Sequence, residues 1–473
     1  EQRDRAKADA KSKKSGHTDL TEYRGIVDKS GSSKFIGYDN ISAEATITGL
    51  LVDGKSVSEA NIGSEIEITL DRTPFYAEGG GQLADGGKIQ LSNGAIIQVE
   101  DVQSPLPGLI VHRGNVVSGI IKAGASVVAD IDLERRLAIS RAHTATHMVH
   151  KAFREALGET ATQAGSENAP GRFRFDFPST SAVPTSVLND VESRVNELLI
   201  ADLQVHSQVM SQDEAKALGA MALFGEKYGD QVRVISVGDW AKELCGGTHV
   251  ARSGQLGLVK LLSESSIGAG VRRIEAVVGE AAAKHITEVN EKLHKQIVQL
   301  TEACALLAAK INTPFKAPEW NENSSVAVLN DTIASLQSSQ KELSKKLESQ
   351  EALLVNELTT QYSSQFETIN GITFLGKEIA LSSADNLKKL AVALGLTQNN
   401  HCIILVATIE GKASVALSIS ESLSATMPAT QMIKEKIAPL IKGGGGGQKT
   451  LATAGGQDAS QLNKVIEVVK QSL

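Results

Sequence analysis

The fold of this chain is constrained most by two short motifs that lie far apart in the sequence. They are His143-Thr-Ala-Thr-His147 and Cys245-Gly-Gly-Thr-His249, and each carries two metal-binding side chains at positions i and i+4. Residues 133–157, around the first motif, have apolar residues at helical intervals, which predicts a helix with both histidines on one face. The paired glycines of the second motif predict a tight loop. If both motifs form one site, the fold must bring the two segments together.

The donor atoms of these motifs indicate the metal. One thiolate and three imidazoles are soft and borderline ligands of the kind that bind Zn²⁺ in proteins. The sequence therefore predicts one zinc ion per chain, bound by His143, His147, Cys245 and His249. His150 lies on the same helix face and is an alternative ligand, although we interpret it as a histidine that supports the site from outside the ligand set.

Composition and charge indicate the setting of this site. The chain has 473 residues, of which 41% are hydrophobic, and this is enough for several domains with buried cores. Three cysteines and the lack of any apolar run long enough to cross a membrane favour a reducing, cytoplasmic location. The formal net charge is -7, but residues 371–473 contain ten lysines and seven acidic residues. This C-terminal region is therefore the better candidate for contact with phosphate groups.

Strand and helix signals predict an α+β multidomain protein. Short strands with a hairpin turn at Ser92-Asn-Gly94 predict a small β-barrel, and two apolar stripes with spacings of three and four predict an antiparallel helical hairpin. Mixed helices and strands surround the metal motifs and recur at the C-terminus. The expected regions are a linker or N-terminal extension (1–36), a β-barrel with a glycine-rich loop (37–132), a zinc-binding α+β domain (133–283), a coiled-coil-like helical hairpin (284–360) and a C-terminal α/β domain (361–473).

A run of five glycines stands out in the last region, after a helix predicted near residues 429–441. Glycines expose backbone N–H groups without an obstructing Cβ, which suits binding of a phosphate or a sugar-phosphate backbone. A flexible loop is the alternative, because the run matches neither the P-loop nor the dinucleotide fingerprint. The candidate nucleic-acid contacts are Lys442, Gly443, Gly444, Gly445, Gly446, Gly447 and Lys449.

Several longer motifs resemble one known family. In chain order they are Thr73-Pro-Phe-Tyr-Ala-Glu-Gly-Gly-Gly-Gln82, Asp85-Gly-Gly87, the two metal motifs with Arg174-Phe-Asp-Phe177 between them, and Gly270-Val-Arg-Arg-Ile-Glu275. Their order and spacing resemble the editing region of alanyl-tRNA synthetases. The helical hairpin and the glycine-run domain resemble the C-terminal region of that family, which is related to a domain found with DHH-type phosphoesterases. The resemblance covers nearly the whole chain from Tyr38 onward.

This resemblance implies an enzyme that edits mischarged tRNA. Family members hydrolyse the ester that joins serine or glycine to tRNA(Ala), and their C-terminal domain helps to hold the tRNA. Motif matching implies that the four predicted ligands bind the zinc, that Gln163 belongs to the editing pocket, and that Gly79, Gly80 and Gly81 lie beside it. Thr248 is a second candidate for recognising the hydroxyl or the amine of serine. The C-terminal region is also a candidate surface for homo-oligomerisation.

One part of the family's pattern, its aminoacylation half, has no counterpart among the motifs of this sequence. No segment resembles the class II synthetase motifs that would bind ATP and alanine, so we expect a chain that edits but does not charge tRNA, as the C-terminal half of the enzyme. A free-standing editing protein of this family is one alternative, and a non-catalytic tRNA-binding or oligomerisation module with structural zinc is another. A threonyl-tRNA synthetase editing domain shares the paired motifs but not the C-terminal region. The role of the zinc stays open, because four protein ligands fill a tetrahedral shell.

Overall fold

The computed structural model describes residues 20–221, 229–381 and 383–473. The chain divides into two compact units, one that extends to Val289 and one that begins at Asn290. Residues 1–19 of the predicted linker lie outside the described ranges. Among the described residues, no helix combines the length and the apolar character that a membrane crossing requires.

The first described element is helix α1 (Leu20–Ser30), which lies against a barrel. Tyr23 and Ile26, three residues apart on one helix face, are buried among apolar residues that include Leu51 and Val111. Residues 20–36 belong to the segment predicted as a linker or N-terminal extension, and residues 20–30 of it form this helix. Its apolar residues have helical spacing, so they form a face that packs on the barrel instead of a solvated connection.

The predicted small β-barrel is confirmed as a closed barrel of six antiparallel strands. Strand β11 pairs with both β7 and β2, so the order β2-β5-β9-β8-β7-β11 closes on itself. The predicted hairpin turn joins β7 to β8, with Gly94 at a φ of 82°. The strands of this region are β1 (Lys34–Phe35), β2 (Ser42–Val52), β3 (Lys55–Ser56), β4 (Glu59–Asn61), β5 (Glu65–Leu70), β6 (Arg72–Thr73), β7 (Gly87–Leu91), β8 (Ile96–Leu106), β9 (Leu109–Ser118), β10 (Ile120–Lys122) and β11 (Ser126–Ile131).

An α+β region with two sheets follows the barrel. One sheet has the antiparallel order β12-β13-β18-β17, and the other has the order β14-β15-β16. The long helix α2 begins where Asp132 accepts a hydrogen bond from the backbone of Arg135, and it ends at Gly158. The elements are α2 (Leu133–Leu157), β12 (Gly165–Ala169), β13 (Arg172–Pro178), α3 (Thr185–Ile200), β14 (Val205–Ser211), α4 (Gln212–Ala217), β15 (Gln231–Val237), β16 (Ala241–Leu244), β17 (Val259–Gly268) and β18 (Val271–Val278).

Two long helices come next, α5 (Glu280–Lys310) and α6 (Val326–Tyr362). Both predicted apolar stripes contribute to one buried cluster, in which the Sγ of Cys304 donates to the carbonyl of Leu336. The connection between the helices is not a short turn, because the Trp320 ring lies 5.0 Å from the ring of His294 and so the connection folds back along α5. The antiparallel orientation of the two helices stays a prediction.

The C-terminal region contains a six-stranded sheet with the order β19-β20-β21-β22-β24-β23, in which only β20 and β21 are parallel. The glycine run is the edge strand β23, so the flexible-loop alternative is wrong. The helix predicted over residues 429–441 is also shorter, with a wider π-turn at Ile433–Ile437. The elements are β19 (Glu367–Ile369), β20 (Ile372–Glu378), α7 (Ala384–Gly395), β21 (His401–Ile409), β22 (Lys412–Ile419), α8 (Glu421–Ser424), α9 (Ala429–Met432), β23 (Gly443–Gly447), β24 (Leu451–Gly456) and α10 (Leu462–Lys470).

Candidate metal centre

Two segments carry the four predicted ligands. Helix α2 presents His143 and His147 one turn apart, and the segment after β16 presents Cys245 and His249. The ligand atoms of these residues, here called the four-donor cluster, all lie within 4.8 Å of one another. The Sγ of Cys245 is 3.3 Å from the Nε2 of His143 and 3.4 Å from the Nε2 of His249. The structure thus brings the two motifs together.

The hydrogen bonds of Gln82 fix the orientation of the His143 ring. The Oε1 of Gln82 lies 2.8 Å from the backbone N–H of Thr248, which can only donate, so the atom at this position is the amide oxygen. The same oxygen is 2.8 Å from the Nδ1 of His143 and can only accept there. His143 therefore donates from its Nδ1, which leaves its Nε2 to face Cys245.

The other two histidines are arranged in the same way. The Nδ1 of His147 makes a short hydrogen bond to the Glu243 carboxylate, which only accepts when ionised. The hydroxyl of Thr144 donates its one proton to the carbonyl of Ser140, so it accepts from the Nδ1 of His249. Burial lowers the pKa of His249 to about 3, which keeps this ring neutral. All three imidazoles thus turn an Nε2 atom towards the centre of the cluster.

The electrostatics of the cluster favour a positive charge at this centre. Burial opposes ionisation of the Cys245 thiol, but the neighbouring histidines outweigh it and hold the pKa well below its usual range. Burial likewise opposes protonation of His147, but Glu243 and Cys245 raise its pKa to about 10. The Nε2 of His147 is buried and has no hydrogen-bond partner among the described residues. The cluster therefore places an anionic sulfur among three imidazole nitrogens and favours positive charge at its centre, supplied either by protons on the imidazoles or by a metal ion.

The residues present fit a tetrahedral metal ion. With Zn–N distances near 2.0–2.1 Å and a Zn–S distance near 2.3 Å, tetrahedral coordination would separate nitrogen and sulfur by roughly 3.6 Å. The observed separations of 3.3 and 3.4 Å are close to this value. The Nδ1 of each histidine also donates a hydrogen bond to a partner outside the cluster, as metal-binding histidines usually do. The cluster can therefore hold a metal ion, and its donor set suits zinc.

The loop that carries Cys245 is held by Arg233 and Tyr38. The Nη1 of Arg233 donates to the carbonyls of Cys245 and Gly247, at 2.9 and 2.8 Å. The hydroxyl of Tyr38 donates to the carbonyl of Gly246 at 2.6 Å, and the Arg233 guanidinium lies 4.0 Å from the centre of the Tyr38 ring. These contacts fix three successive carbonyls, so the thiolate is presented by a constrained loop.

A buried ion pair joins the start of α2 to the barrel. The guanidinium of Arg136 contacts both carboxylate oxygens of Asp85 and donates to the carbonyls of Gly37 and Pro74. The side chains of Arg136 and Asp85 are 7% and 0% exposed. Asp85 also accepts from the backbone N–H of Tyr76 at 2.7 Å. This network sets the position of the helix that carries His143 and His147.

The predicted glycine-rich loop lies beside Ser166. A Cβ on Gly81 would lie only 2.4 Å from the Oγ of Ser166, so no larger residue fits there without a shift. Gly80 and Gly81 have φ values of 57° and 79°, in the left-handed region that favours glycine. In the described part of the chain, neither of their N–H groups donates a hydrogen bond, whereas the N–H of Gly79 donates to Gln82. The loop therefore presents two free backbone donors.

The two other predicted pocket residues have different surroundings. Gln163 is half-buried and donates to the Oγ of Ser166 at 3.1 Å, and among the described residues it makes no hydrogen bond to any of the four donors. Thr248 is buried, and its hydroxyl is engaged by Gln82 at 3.0 Å and by Ser140 at 2.8 Å. Among the described residues, the carbonyl oxygen of Gln163 accepts no hydrogen bond, while Thr248 lies inside the network behind the four-donor cluster.

Three further residues contribute to this site, of which His150 was considered from the sequence and Glu243 and Gln82 were not. His150 is fully buried with its Nδ1 2.9 Å from Glu243, outside the four-donor cluster, which agrees with its interpretation as a supporting histidine. Glu243 stands two residues before Cys245, and Gln82 ends the glycine-rich motif. The only sequence signal for Glu243 and Gln82 was that they lie next to these motifs, because neither residue has a spacing that indicates a contact with a metal ligand.

The C-terminal candidates lie around strand β23. Gly443 and Gly445 face β24 so closely that a Cβ would lie 1.9 and 2.3 Å from backbone oxygens, whereas a Cβ on Gly444 or Gly446 would meet open space. The exposed Nζ of Lys442 is 3.1 Å from Asp458. A cavity of about 310 Å³ is lined in part by Lys442 and by the start of β23.

Two family models match parts of the sequence. The model described as "tRNA synthetases class II (A)" matches residues 1–135, and the one described as "Threonyl and Alanyl tRNA synthetase second additional domain" matches residues 232–275. The first match relates the N-terminal part of the sequence to class II synthetases. The second covers Cys245 and His249, and so one of the two metal motifs.

Known proteins resemble the chain over almost its full length. An alanine–tRNA ligase from Nocardioides sp. is 46% identical over 99% of this chain and 50% of its own length, and one from Acidothermus cellulolyticus is 46% identical over 98% and 50%. The chain spans about half the length of these relatives. The solved C-Ala domain of Aquifex aeolicus alanyl-tRNA synthetase is 22% identical over 22% of this chain and 95% of that domain, with a TM-score of 0.22. On the sequence relationships, the chain belongs to the alanyl-tRNA synthetase family.

Proposed function

We propose that this chain hydrolyses the ester bond of tRNA(Ala) that has been mischarged with serine or glycine, at a site built around one zinc ion. The observation that carries the proposal is the convergence of three imidazole Nε2 atoms and a thiolate, each oriented by an outer partner. The match of residues 232–275 to a domain shared by threonyl- and alanyl-tRNA synthetases supports it.

A separate hydrolytic site has a physical rationale. A pocket sized for alanine distinguishes glycine through one missing methyl group, which is worth only about 1–3 kcal/mol. A hydrophobic pocket also rejects a single added hydroxyl poorly, so serine enters as well. A second site can instead hydrogen-bond the hydroxyl or the amine of the wrong amino acid. Gln163 is our candidate for this contact, because its carbonyl oxygen is free.

Ester hydrolysis requires a fixed carbonyl, a positioned water and stabilisation of the tetrahedral oxyanion. The N–H groups of Gly80 and Gly81 are free donors of the kind that bind such an oxyanion, and we assign them this role. A zinc ion held by the four donors would supply a concentrated positive charge next to the pocket. The outer partners Gln82, Glu243 and Thr144 keep the imidazoles oriented. Arg233 and Tyr38 keep the thiolate loop in place.

The test of this function is deacylation of seryl-tRNA(Ala) by the purified chain. We expect serine to be released much faster than alanine is released from alanyl-tRNA(Ala). Cys245→Ala and His249→Ala should lose most of this activity. His206→Ala is the matched control, since His206 is exposed on β14 and should leave the rate unchanged. If the wild-type chain releases no serine at high concentration, the enzyme proposal is wrong and a tRNA-binding module with structural zinc is favoured.

For the C-terminal region we propose contact with the tRNA backbone. Lys442 and Lys449 lie at the two ends of the glycine strand, which would let a phosphate approach the exposed side of Gly444 and Gly446. Replacing both lysines by glutamine should weaken tRNA binding and reduce the slope of log affinity against log salt by about one for each lost contact. Lys316→Gln serves as the control, because this lysine is 88% exposed in the connection between α5 and α6. An unchanged slope would exclude these contacts.

A further inference from the structure

We infer that Gln82 is a positioning residue that fixes His143 as a metal ligand and links the glycine-rich loop to both metal motifs. This inference rests on the proposed zinc site. Gln82 is fully buried, and it is the last residue of the glycine-rich motif in the barrel region. Its side chain reaches one motif at His143 and the other at Thr248.

The amide group is suited to this position in a way that other side chains are not. Its oxygen accepts from both the Nδ1 of His143 and the backbone N–H of Thr248, and its nitrogen donates to the hydroxyl of Thr248. An apolar side chain would leave two buried donors unpaired. It would also release His143 to place its proton on Nε2, where the proton would occupy the lone pair that a metal requires.

Gln82 also connects the metal ligands to the pocket candidates. Its neighbour Gly81 packs on Ser166, and the carbonyl of Gly81 accepts from the N–H of Asn168 at 2.7 Å. Ser166 in turn accepts from Gln163. A change of position in the glycine-rich loop therefore moves the acceptor that orients His143. Metal binding and the geometry of the substrate pocket are coupled through this one side chain.

The experiment compares zinc affinity in the full chain by competition with a chromogenic chelator. Loss of an outer partner of a metal-binding histidine typically costs 10–100-fold in metal affinity, so Gln82→Met should lose affinity by this factor. Gln82→Glu keeps the accepting oxygen and should lose much less. Gln98→Met is the matched control, since Gln98 is a half-buried barrel glutamine that donates to the carbonyl of Gly87.

A second readout separates positioning from general destabilisation. At saturating zinc, Gln82→Met should lower kcat for seryl-tRNA(Ala) more than it raises KM. Gln82→Glu should restore kcat. If the substitutions only reduced the amount of folded protein, the activity of each variant would instead be proportional to its folded fraction. If Gln82→Met does not fold, Gln82→Asn, which keeps the amide but shortens its reach, should show the same loss of zinc affinity. Wild-type affinity in both the Met and the Asn variants would overturn this inference alone. A wild-type chain that binds no zinc would overturn the proposed site itself.

Discussion

The close contact between Gly247 and His143 gives a prediction with a defined size. In Gly247→Ala, the new Cβ would lie 2.1 Å from the Cε1 and 2.3 Å from the Nδ1 of His143, and 2.8 Å from the Oε1 of Gln82. Carbon atoms in contact are normally separated by about 3.5 Å, so the imidazole and the loop must move apart by roughly 1.4 Å. The substitution would therefore separate His143 from Gln82 and turn its Nε2 away from Cys245.

Two costs follow from this displacement. Removing the outer hydrogen bond alone should reduce zinc affinity by about 10–100-fold, which corresponds to about 1.4–2.7 kcal/mol. Forcing a methyl group into a packed region should also lower the free energy of unfolding by about 1–3 kcal/mol. The adjacent Gly246 provides the control, because a Cβ there meets nothing within 4 Å. We expect Gly246→Ala to bind zinc like the wild type.

The assay is chelator competition together with urea unfolding in the presence and absence of zinc. Gly247→Ala should show weaker zinc binding and a smaller stabilisation by zinc, while Gly246→Ala should show neither effect. Equal zinc affinity in the two variants would refute the reasoning, since it would mean that His143 does not occupy the position that the structure gives it.

Three further predictions concern stability. Arg136→Met leaves the buried carboxylate of Asp85 without its ion-pair partner and should lower the free energy of unfolding by about 3–5 kcal/mol in urea titrations. Arg252→Met, at an exposed ion pair, should lower it by no more than about 1 kcal/mol. Equal effects would contradict the role of the buried network. Removal of zinc with excess chelator should lower the Tm, because the metal binds only the folded chain, and an unchanged Tm would argue against a bound ion. Burial lowers the pKa of His112 to about 4, so protonation of this ring favours the unfolded chain. The free energy of unfolding should therefore fall by up to about 3 kcal/mol as the pH drops from 6.5 to 4. His112→Gln should reduce this fall, and an unchanged dependence of the unfolding free energy on pH would contradict the assignment.

The four donors were predictable because helical periodicity decides which side chains of a helix share a face and because the second motif carries matching donor types. The i, i+4 spacing put His143 and His147 on one side of α2, and the donor types made a metal site the natural reason for Cys245 and His249 to join them. The barrel was predictable for a related reason, since short alternating strands and a turn such as that at Gly94 are local signals.

Features that depend on contacts between distant segments were not predictable in this way. Nothing in the glycine-rich motif shows that Gln82 reaches both metal motifs, because that contact requires the barrel and α2 to be placed against each other first. The glycine run has no strand propensity of its own, and it becomes a strand only because its missing side chains allow close approach to β24. The packing of α1 on the barrel likewise depends on a tertiary surface formed by other strands.

The most direct test of the proposed metal centre is zinc K-edge X-ray absorption on the full chain, purified without added chelator. We predict one zinc ion per chain, with one sulfur ligand at about 2.3 Å and three nitrogen ligands at about 2.0–2.1 Å. The sulfur contribution should disappear in Cys245→Ala and persist in Cys304→Ala, whose thiol lies between α5 and α6. A zinc shell without sulfur in the wild-type chain, or a chain that contains no zinc, would contradict the account.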